Sequence, residues 1–414
     1  MATQTQTRYD VGGVLLDRPF KIRRLGHFGF NVTRIDECLA FYTDLLGFRI
    51  SDELDFGLRV PDPAVFEGLG PTKGYFLRYG TDHHAFVLFP RRVFEKLAAL
   101  RGAPPARPDN NINQITWQVG SLGEISRAIA WFQERGVRLA RSGRDMPGSN
   151  WHTYLFDPDT HMNELYYGIE QIGWDGYSKP WAMHYRAFHE RPPLPQMSEE
   201  AEVQEALARG IDLHSGYRYV ERLPATYDVD GILLPRPFKI VRQGPVRLFV
   251  DDVAAAEHFY RETLGFLFTE EVTWEGHRCV FLRNNTEHHA VALYPKALRE
   301  RLGLSETTSC LAFGLQLASY RQLRDAVQFL RERGVRVIET IPPELYPGID
   351  YAAHVLDPDG NCLELYYYLE QIGWDGRPRP AHLRPRVQPG VWPECIEAPP
   401  SDVYQGEPFL GPWG

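Results

Sequence analysis

Two adjacent histidines occur twice in this chain, each time at the start of an apolar run. The stretch "TDHHAFVLFP" covers residues 81–90, and "TEHHAVALYP" covers residues 286–295. An imidazole titrates near neutral pH and binds divalent metals, so each pair could ligate a metal ion or transfer protons. Each pair could equally be a packing feature that recurs because the surrounding domain recurs. The neighbouring residues have to separate these interpretations.

Two glutamates interrupt apolar runs and therefore need partners. Glu164 lies in "NELYYG" and Glu364 in "LELYYYLEQ". A carboxylate buried in such a run without a partner would be costly. Either a bound metal ion or an arginine would relieve that cost, and the sequence leaves both possibilities open.

The chain contains a long internal repeat. "YDVGGVLLDRPFKIRRLGHFGFNV" at 9–32 returns as "YDVDGILLPRPFKIVRQGPVRLFV" at 227–250, and "EQIGWDG" occurs verbatim at 170–176 and 370–376. Repetition over this length indicates a domain duplication, with an insertion around "GLRVPDPAVFEGLGPTKG" in the first copy. The predicted organisation is an N-terminal domain at 1–176, a linker at 177–226, a C-terminal domain at 227–376 and a Pro-rich tail at 377–414.

Each copy divides again into two modules of one strand, one helix and three strands. The strand-like "LGHFGFNV" precedes "TRIDECLAFYTDLLGF", where Ile35, Leu39, Tyr42 and Leu46 fall on one helical face. A single module would leave an open sheet edge and too little core, so two modules should pair around a shared concave space. The predicted fold class is α+β, with four βαβββ modules paired into two barrel-like domains.

The composition is that of an ordinary globular protein. Of 414 residues, 43% are hydrophobic and 24% charged, and the formal net charge of -9 argues against nucleic-acid or anionic-membrane partners. No signal-peptide layout or membrane-spanning apolar run is present in the sequence. The five cysteines are scattered, which favours reduced thiols and a cytoplasmic location.

Four βαβββ modules in two pairs resemble the vicinal oxygen chelate superfamily (glyoxalase, bleomycin resistance and dioxygenase proteins), and among its members the type I extradiol ring-cleavage dioxygenases. The resemblance covers about residues 20–376 and rests on "LGHFGFNV", "AFYTDLLGF", "DHHAFVLF" and "YLFDPDTHMNELYY". It implies an oxidoreductase of aromatic-compound catabolism that uses Fe(II), a catechol-like substrate and O2. Members commonly assemble, and whether this chain forms a homo-oligomer stays open.

The same resemblance implies a metal site in the first copy. Its ligands would be His27, Gln114 and Glu164, an arrangement that leaves coordination positions free for substrate and O2. The family has a histidine where this sequence has Gln114. A neutral amide oxygen is a weaker and harder donor for Fe(II) than imidazole, so Mn, Zn and Ni stay open as alternatives.

Further residues of the first copy take catalytic roles by resemblance. His84, the second histidine of its pair, would be the acid–base residue facing the substrate, while His83 would be structural. Tyr154 would hydrogen-bond the substrate oxygen. A loop histidine of the family is replaced by Asp145, and His152 is the nearby candidate to act in its place.

The second copy lacks most of this set. Pro245, Ala312 and His354 occupy the positions of His27, Gln114 and Tyr154. Only Glu364 and the histidine pair persist, with His288 expected to be structural. The sequence therefore predicts that the second copy is not catalytic.

Two other functions remain open. One is a lyase, isomerase or hydrolase of the same superfamily that uses a redox-inert divalent metal as a Lewis acid, which Gln114 favours. The other is a metal-free protein that binds and sequesters a small aromatic molecule, as resistance proteins of the superfamily do.

Overall fold

The computed structural model describes residues 7–102, 106–144, 146–184, 194–373 and 375–396, apart from the side chains of residues 149, 150 and 184. Each half of the chain begins with a two-stranded hairpin and continues into one eight-stranded mixed sheet. No helix within these ranges is both long enough and apolar enough to cross a membrane.

The first half and the linker contain the elements numbered β1–β10 and α1–α5. The strands are β1 (Tyr9–Val11), β2 (Val14–Leu16), β3 (Ile22–Val32), β4 (Arg49–Asp55), β5 (Lys73–Arg78), β6 (Phe86–Pro90), β7 (Ile112–Val119), β8 (Leu139–Gly143), β9 (Ser149–Phe156) and β10 (Met162–Ile169). The helices are α1 (Ile35–Ala40, continued by a π-helical turn at Phe41–Leu45), α2 (Arg91–Leu100), α3 (Leu122–Glu134), α4 (Trp181–His184) and α5 (Glu199–Ala208). The insertion forms 3-10 turns at Phe56–Arg59 and Pro63–Phe66.

The second half repeats the same plan. Its strands are β11 (Tyr227–Val229), β12 (Ile232–Leu234), β13 (Ile240–Val250), β14 (Leu267–Trp274), β15 (His277–Arg283), β16 (Val291–Pro295), β17 (Cys310–Leu317), β18 (Val337–Ile338), β19 (Ala352–Leu356) and β20 (Cys362–Tyr366). Its helices are α6 (Val253–His258, continued by a π-helical turn at Phe259–Thr263), α7 (Leu298–Arg301) and α8 (Tyr320–Glu332).

The order of strands is the same in both sheets. It runs β4-β5-β6-β3-β7-β10-β9-β8 in the first and β14-β15-β16-β13-β17-β20-β19-β18 in the second. The two modules of each half meet where their first strands pair antiparallel, β3 with β7 and β13 with β17. The α+β fold class, with modules paired into two domains, is confirmed.

The helix predicted after "LGHFGFNV" forms for the reasons its sequence indicates. Ile35 and Cys38 are buried, and the acids Asp36 and Glu37 lie in the first turn, where the helix dipole favours negative charge. Gly47 follows the π-helical turn with φ 84°, a left-handed conformation that ends the helix at little steric cost.

The histidine pairs lie in turns just before the strands and not within them as the sequence suggested. β6 begins at Phe86 and β16 at Val291. The repeated "EQIGWDG" segments hold these turns. The backbone amide of His83 donates to the carbonyl of Glu170 at 2.8 Å, and that of His288 donates to the carbonyl of Glu370 at 2.8 Å. The verbatim repeat thus has a structural explanation in both halves.

The two halves share one hydrophobic core that contains residues of both sheets. Phe28 stacks on Phe313 with ring centroids 4.3 Å apart. Buried hydrogen bonds cross the interface in both directions, from Tyr42 to Asp357 and from Tyr260 to Asp157, each at 3.2 Å. The opposite face of each sheet has a separate apolar cluster.

Candidate functional site

The sheet of the first half places four polar side chains in one row across four neighbouring strands. His27 on β3 lies opposite Thr116 on β7, Thr116 lies beside Glu164 on β10, and Glu164 lies opposite Tyr154 on β9. Because side chains in register share a face of a sheet, all four are directed to the same face. The strand register therefore brings three of the predicted residues together.

Glu164 is the centre of this row. Nε2 of His27 lies 3.1 Å from its Oε2, the Thr116 hydroxyl donates to the same oxygen at 2.9 Å, and Nδ1 of His152 lies 3.7 Å from its Oε1. Only 1% of Glu164 is exposed. Burial pushes the pKa of Glu164 upward, but His27, His152 and the Thr116 hydroxyl together outweigh it, so that the pKa lies below its ordinary value.

Two more predicted residues, His84 and His152, border this centre. The ring of His84 lies 4.3 Å from that of His27, between centroids. The ring of Tyr154 lies 4.9 Å from that of His152, between centroids. The Arg141 guanidinium lies over the ring of Tyr154, 4.8 Å from its centroid. Asp145 lies outside the described residues. The site thus combines three imidazoles, one carboxylate and one phenol from three strands and one turn.

Gln114 is placed differently from the other predicted ligands. It lies on β7 opposite Gly29, on the same face as Thr116 but two residues along the strand. Its side chain forms no hydrogen bond with any described residue, and Thr116 is the β7 residue that contacts Glu164. Thr116 was missed from the sequence, although its position two residues after Gln114 was the available signal.

The donor set is compatible with a divalent metal. No three His, Cys, Asp or Glu side chains in the described part of the chain are grouped as metal ligands. His27 and Glu164 already lie together, and the amide oxygen of Gln114 is a third donor on the same face. Nδ1 of His27 is buried without a hydrogen-bond partner. An imidazole, a carboxylate and an amide oxygen are all donor types that a divalent metal ion accepts.

In the second half the equivalent glutamate, Glu364, has different partners. Nη2 of Arg247 lies 2.6 Å from Oε1 of Glu364, and Nε2 of His354 lies 2.9 Å from Oε2. Arg247 and Glu364 are both fully buried. Burial opposes ionisation of Glu364, but the guanidinium outweighs it and holds the pKa of Glu364 below its ordinary value. The arginine thus supplies the positive charge that this carboxylate needs.

Two differences in side-chain size leave no room in the first half for an arginine equivalent to Arg247. Gly29 occupies the position of Arg247, since Gly29 lies opposite Gln114 as Arg247 lies opposite Ala312. Beside them, Val87 on β6 corresponds to Ala292 on β16. A Cβ at position 29 would lie only 2.1 Å from a methyl group of Val87. The contacts of Glu164 within the described residues accordingly include no arginine or lysine.

The two halves also differ in the space near these positions. Beside the first lies an open groove of about 790 Å³ between the insertion and the linker, lined by Leu58, Arg59, Val60, Pro61, Trp181, Ala182 and Arg209. Val60 and Trp181 pack on the apolar cluster that includes Phe76, whose ring lies 5.0 Å from that of His84. In the second half, the space beside His354 is only about 10 Å³ and is bordered by Trp392 of the tail.

A family model matches both halves of the chain. The model is the glyoxalase/bleomycin resistance protein/dioxygenase superfamily, and it matches residues 24–165 and 242–365. Each match covers the strands that place the polar row, or its degenerate counterpart.

Two curated relatives are named as dioxygenases. The chain is 28% identical to the 2,2',3-trihydroxybiphenyl dioxygenase of Sphingomonas paucimobilis over 160 residues, which are 38% of this chain and 50% of that protein. It is 31% identical to the biphenyl-2,3-diol 1,2-dioxygenase of Paraburkholderia xenovorans over 153 residues, 36% of this chain and 40% of that protein. The chain thus spans half or less of the length of these relatives.

The solved structures extend the likeness of fold over most of the chain. The 2,3-dioxygenase LapB from Pseudomonas sp. KL28 superposes with a TM-score of 0.52 at 16% sequence identity. The superposition covers 87% of this chain and 96% of that one.

Proposed function

Since the chain belongs to the glyoxalase/bleomycin resistance protein/dioxygenase superfamily, we propose that it is a metal-dependent extradiol dioxygenase that cleaves a catechol-like aromatic with O2. The observation that carries the proposal is the buried Glu164, which two imidazoles and a hydroxyl surround and which no arginine of the described residues neutralises. The names of the two curated relatives, which are dioxygenases of hydroxylated biphenyls, support it.

The proposed metal ligands are His27, Gln114 and Glu164. A bound divalent metal would supply a Lewis-acidic centre for two vicinal oxygens and, if it is Fe(II), a redox-active one for O2. The arginine that serves Glu364 in the second half has no counterpart here, so the first half is the proposed location of the only such site among the described residues.

The protein's own groups would move and hold protons. His84, adjacent to His27, is placed to accept a proton from a catechol hydroxyl and to return it during ring opening. Tyr154 and His152 lie on the other side of Glu164 and are placed to hydrogen-bond a substrate oxygen. The apolar cluster that includes Phe76, whose ring lies 5.0 Å from that of His84, would limit the access of water to these transfers.

Metal content and oxygen uptake together test the proposal. The chain is purified, loaded anaerobically with Fe(II), Mn(II), Zn(II) or Ni(II), and assayed with catechol and 2,3-dihydroxybiphenyl. We expect stoichiometric iron, and O2 uptake equal to the amount of ring-opened product. Absence of binding to every one of these metals, with no O2 uptake, would contradict the proposal and leave a small-molecule binding protein.

The Lewis-acid enzyme remains a second candidate because Gln114 offers a neutral oxygen donor. Amide oxygens suit harder, redox-inert ions better than they suit Fe(II). Binding of Zn(II), Ni(II) or Mn(II) in preference to Fe(II), without O2 uptake, would favour this second function.

The variant Gln114→His is expected to bind Fe(II) about tenfold more tightly or better, because imidazole is the better donor for this ion. Competition against a coloured chelator measures the affinity. Gln316→His is the matched control, since Gln316 is a partly exposed glutamine on β17, the strand of the second half that corresponds to β7. A folded Gln114→His protein with unchanged iron affinity would remove Gln114 from the ligand set.

A further inference from the structure

Three buried side chains form a hydrogen-bonded chain that ends at the site. Nε2 of His83 lies 3.0 Å from Oδ2 of Asp52 on β4, and Nδ1 of His83 lies 3.0 Å from Nδ1 of His84. All three residues are buried. The ring of His84 then lies against that of His27. The chain thus links a carboxylate on an outer strand to the imidazole nearest the proposed ligands.

The direction of proton donation along this series of hydrogen bonds follows from the chemistry of Asp52. An ionised carboxylate only accepts hydrogen bonds, so the proton between Asp52 and His83 must be on Nε2 of His83. In a neutral His83 the other nitrogen, Nδ1, is then an acceptor. His84 must therefore donate through its own Nδ1–H, which leaves Nε2 of a neutral His84 as an acceptor.

The ring of His83 has little freedom to break this order. Its backbone amide is held by the carbonyl of Glu170. Gly148, with φ 77°, packs so closely that a Cβ there would lie 2.4 Å from Cγ of His83. Glycine at this position is what lets the loop cover the imidazole.

The second half has the same series of hydrogen bonds, although it lacks the candidate metal ligands. Oε1 of Glu270 lies 2.9 Å from Nε2 of His288, and Nδ1 of His288 lies 2.9 Å from Nδ1 of His289. Burial lowers the pKa of His288 and, together with the Arg247 guanidinium, holds the pKa of His289 well below its ordinary value. An acid followed by two imidazoles is therefore a property of the fold, and only the first copy leads to a candidate site.

We infer that Asp52 and His83 are positioning residues that fix the Nδ1–H tautomer of His84, so that His84 presents Nε2 to the substrate as a proton acceptor. The catalytic consequence rests on the proposed function, whereas the tautomer does not. A proton acceptor is what a catechol hydroxyl requires, because the hydroxyl has to lose its proton before the ring is attacked.

Nitrogen NMR of the metal-free full chain, labelled with 15N-histidine, tests the tautomer directly. Long-range 1H–15N spectra distinguish a protonated from a bare ring nitrogen, and loss of signals in His84→Gln assigns the residue. We expect a protonated Nδ1 and a bare Nε2 in His84. Asp52→Asn, which keeps an acceptor oxygen, should preserve this pattern, and Asp52→Leu should shift the proton toward Nε2. A protonated Nε2 in the unaltered chain, or no change in Asp52→Leu, would overturn the inference.

The turnover of the same variants separates a positioning role from a structural one. Asp52→Leu is expected to lower kcat about tenfold or more with KM nearly unchanged, while Asp52→Asn stays close to the unaltered chain. Glu270→Leu is the matched control and should alter only the His288 and His289 signals. An equal loss of kcat in both Asp52 variants would assign the residue a structural role. The expected tautomer in a chain that cleaves no catechol would instead reject the proposed function alone.

Discussion

Glu164→Gln is expected to retain much less than one metal ion per chain after metal loading, whereas the unaltered chain retains about one. It is also expected to lose catechol cleavage. The substitution keeps size and hydrogen bonding to Thr116 but removes the negative charge beside His27 and His152. Losing an outer partner of a metal ligand typically costs about 10–100-fold in affinity, and loss of an anionic ligand should exceed that range. Metal analysis after gel filtration, together with O2 uptake, measures both effects.

Glu364→Gln is the control for this experiment. It makes the same chemical change at the equivalent position of the second half, where the charge of Arg247 takes the role proposed for a metal. We expect Glu364→Gln to retain its ion at low temperature. Retention of metal by Glu164→Gln, or loss of metal by a folded Glu364→Gln, would show that the site is not where we place it.

The architecture was readable from the sequence because it depends on local patterns and on repetition. Helical spacing, alternating strands and two near-identical segments predicted four modules, and the strand orders and the family match confirm them. The positional equivalences were also readable. The register that places Tyr154 opposite Glu164 also places His354 opposite Glu364.

The partners of the buried charges could not be assigned in the same way. The sequence left Glu364 a choice between metal and arginine, and Arg247 reaches it from a strand two positions away in the sheet. Such a contact depends on register and on the bulges of β13, which no local pattern encodes. A correlated signal did exist, because Gly29 and Val87 change together to Arg247 and Ala292.

The contact between His83 and Asp52 could not be predicted for a related reason. Regarded as one of a repeated pair, His83 was expected to be structural, and its contact with Asp52 depends on how β4 packs beside the turn. Asp52 and its counterpart Glu270 are both acids, which was the available clue. A feature common to both halves can therefore serve packing in one and a site in the other.

Glu364→Gln is expected to destabilise the protein by about 3–5 kcal/mol, much more than Glu164→Gln destabilises the metal-free chain. Removing one member of a fully buried ion pair leaves the other charge without compensation, and a guanidinium cannot lose its proton to escape. An imidazole can be neutral near pH 7, so removal of the Glu164 carboxylate does not leave a permanently charged group buried without a partner. Denaturant unfolding, followed separately for each variant, measures the difference.

The double variant Arg247→Met/Glu364→Gln decides whether the buried charge is the cause. It removes the guanidinium along with the carboxylate and should recover about 1–3 kcal/mol relative to Glu364→Gln alone. Recovery should be incomplete, because Arg247 also donates to the Tyr294 hydroxyl at 3.0 Å and to the Leu345 carbonyl at 2.7 Å. If the double variant is no more stable than Glu364→Gln, packing around position 364 rather than the orphaned arginine would account for the loss. Recovery would instead identify Arg247 as the built-in cation that makes a metal unnecessary in the second half.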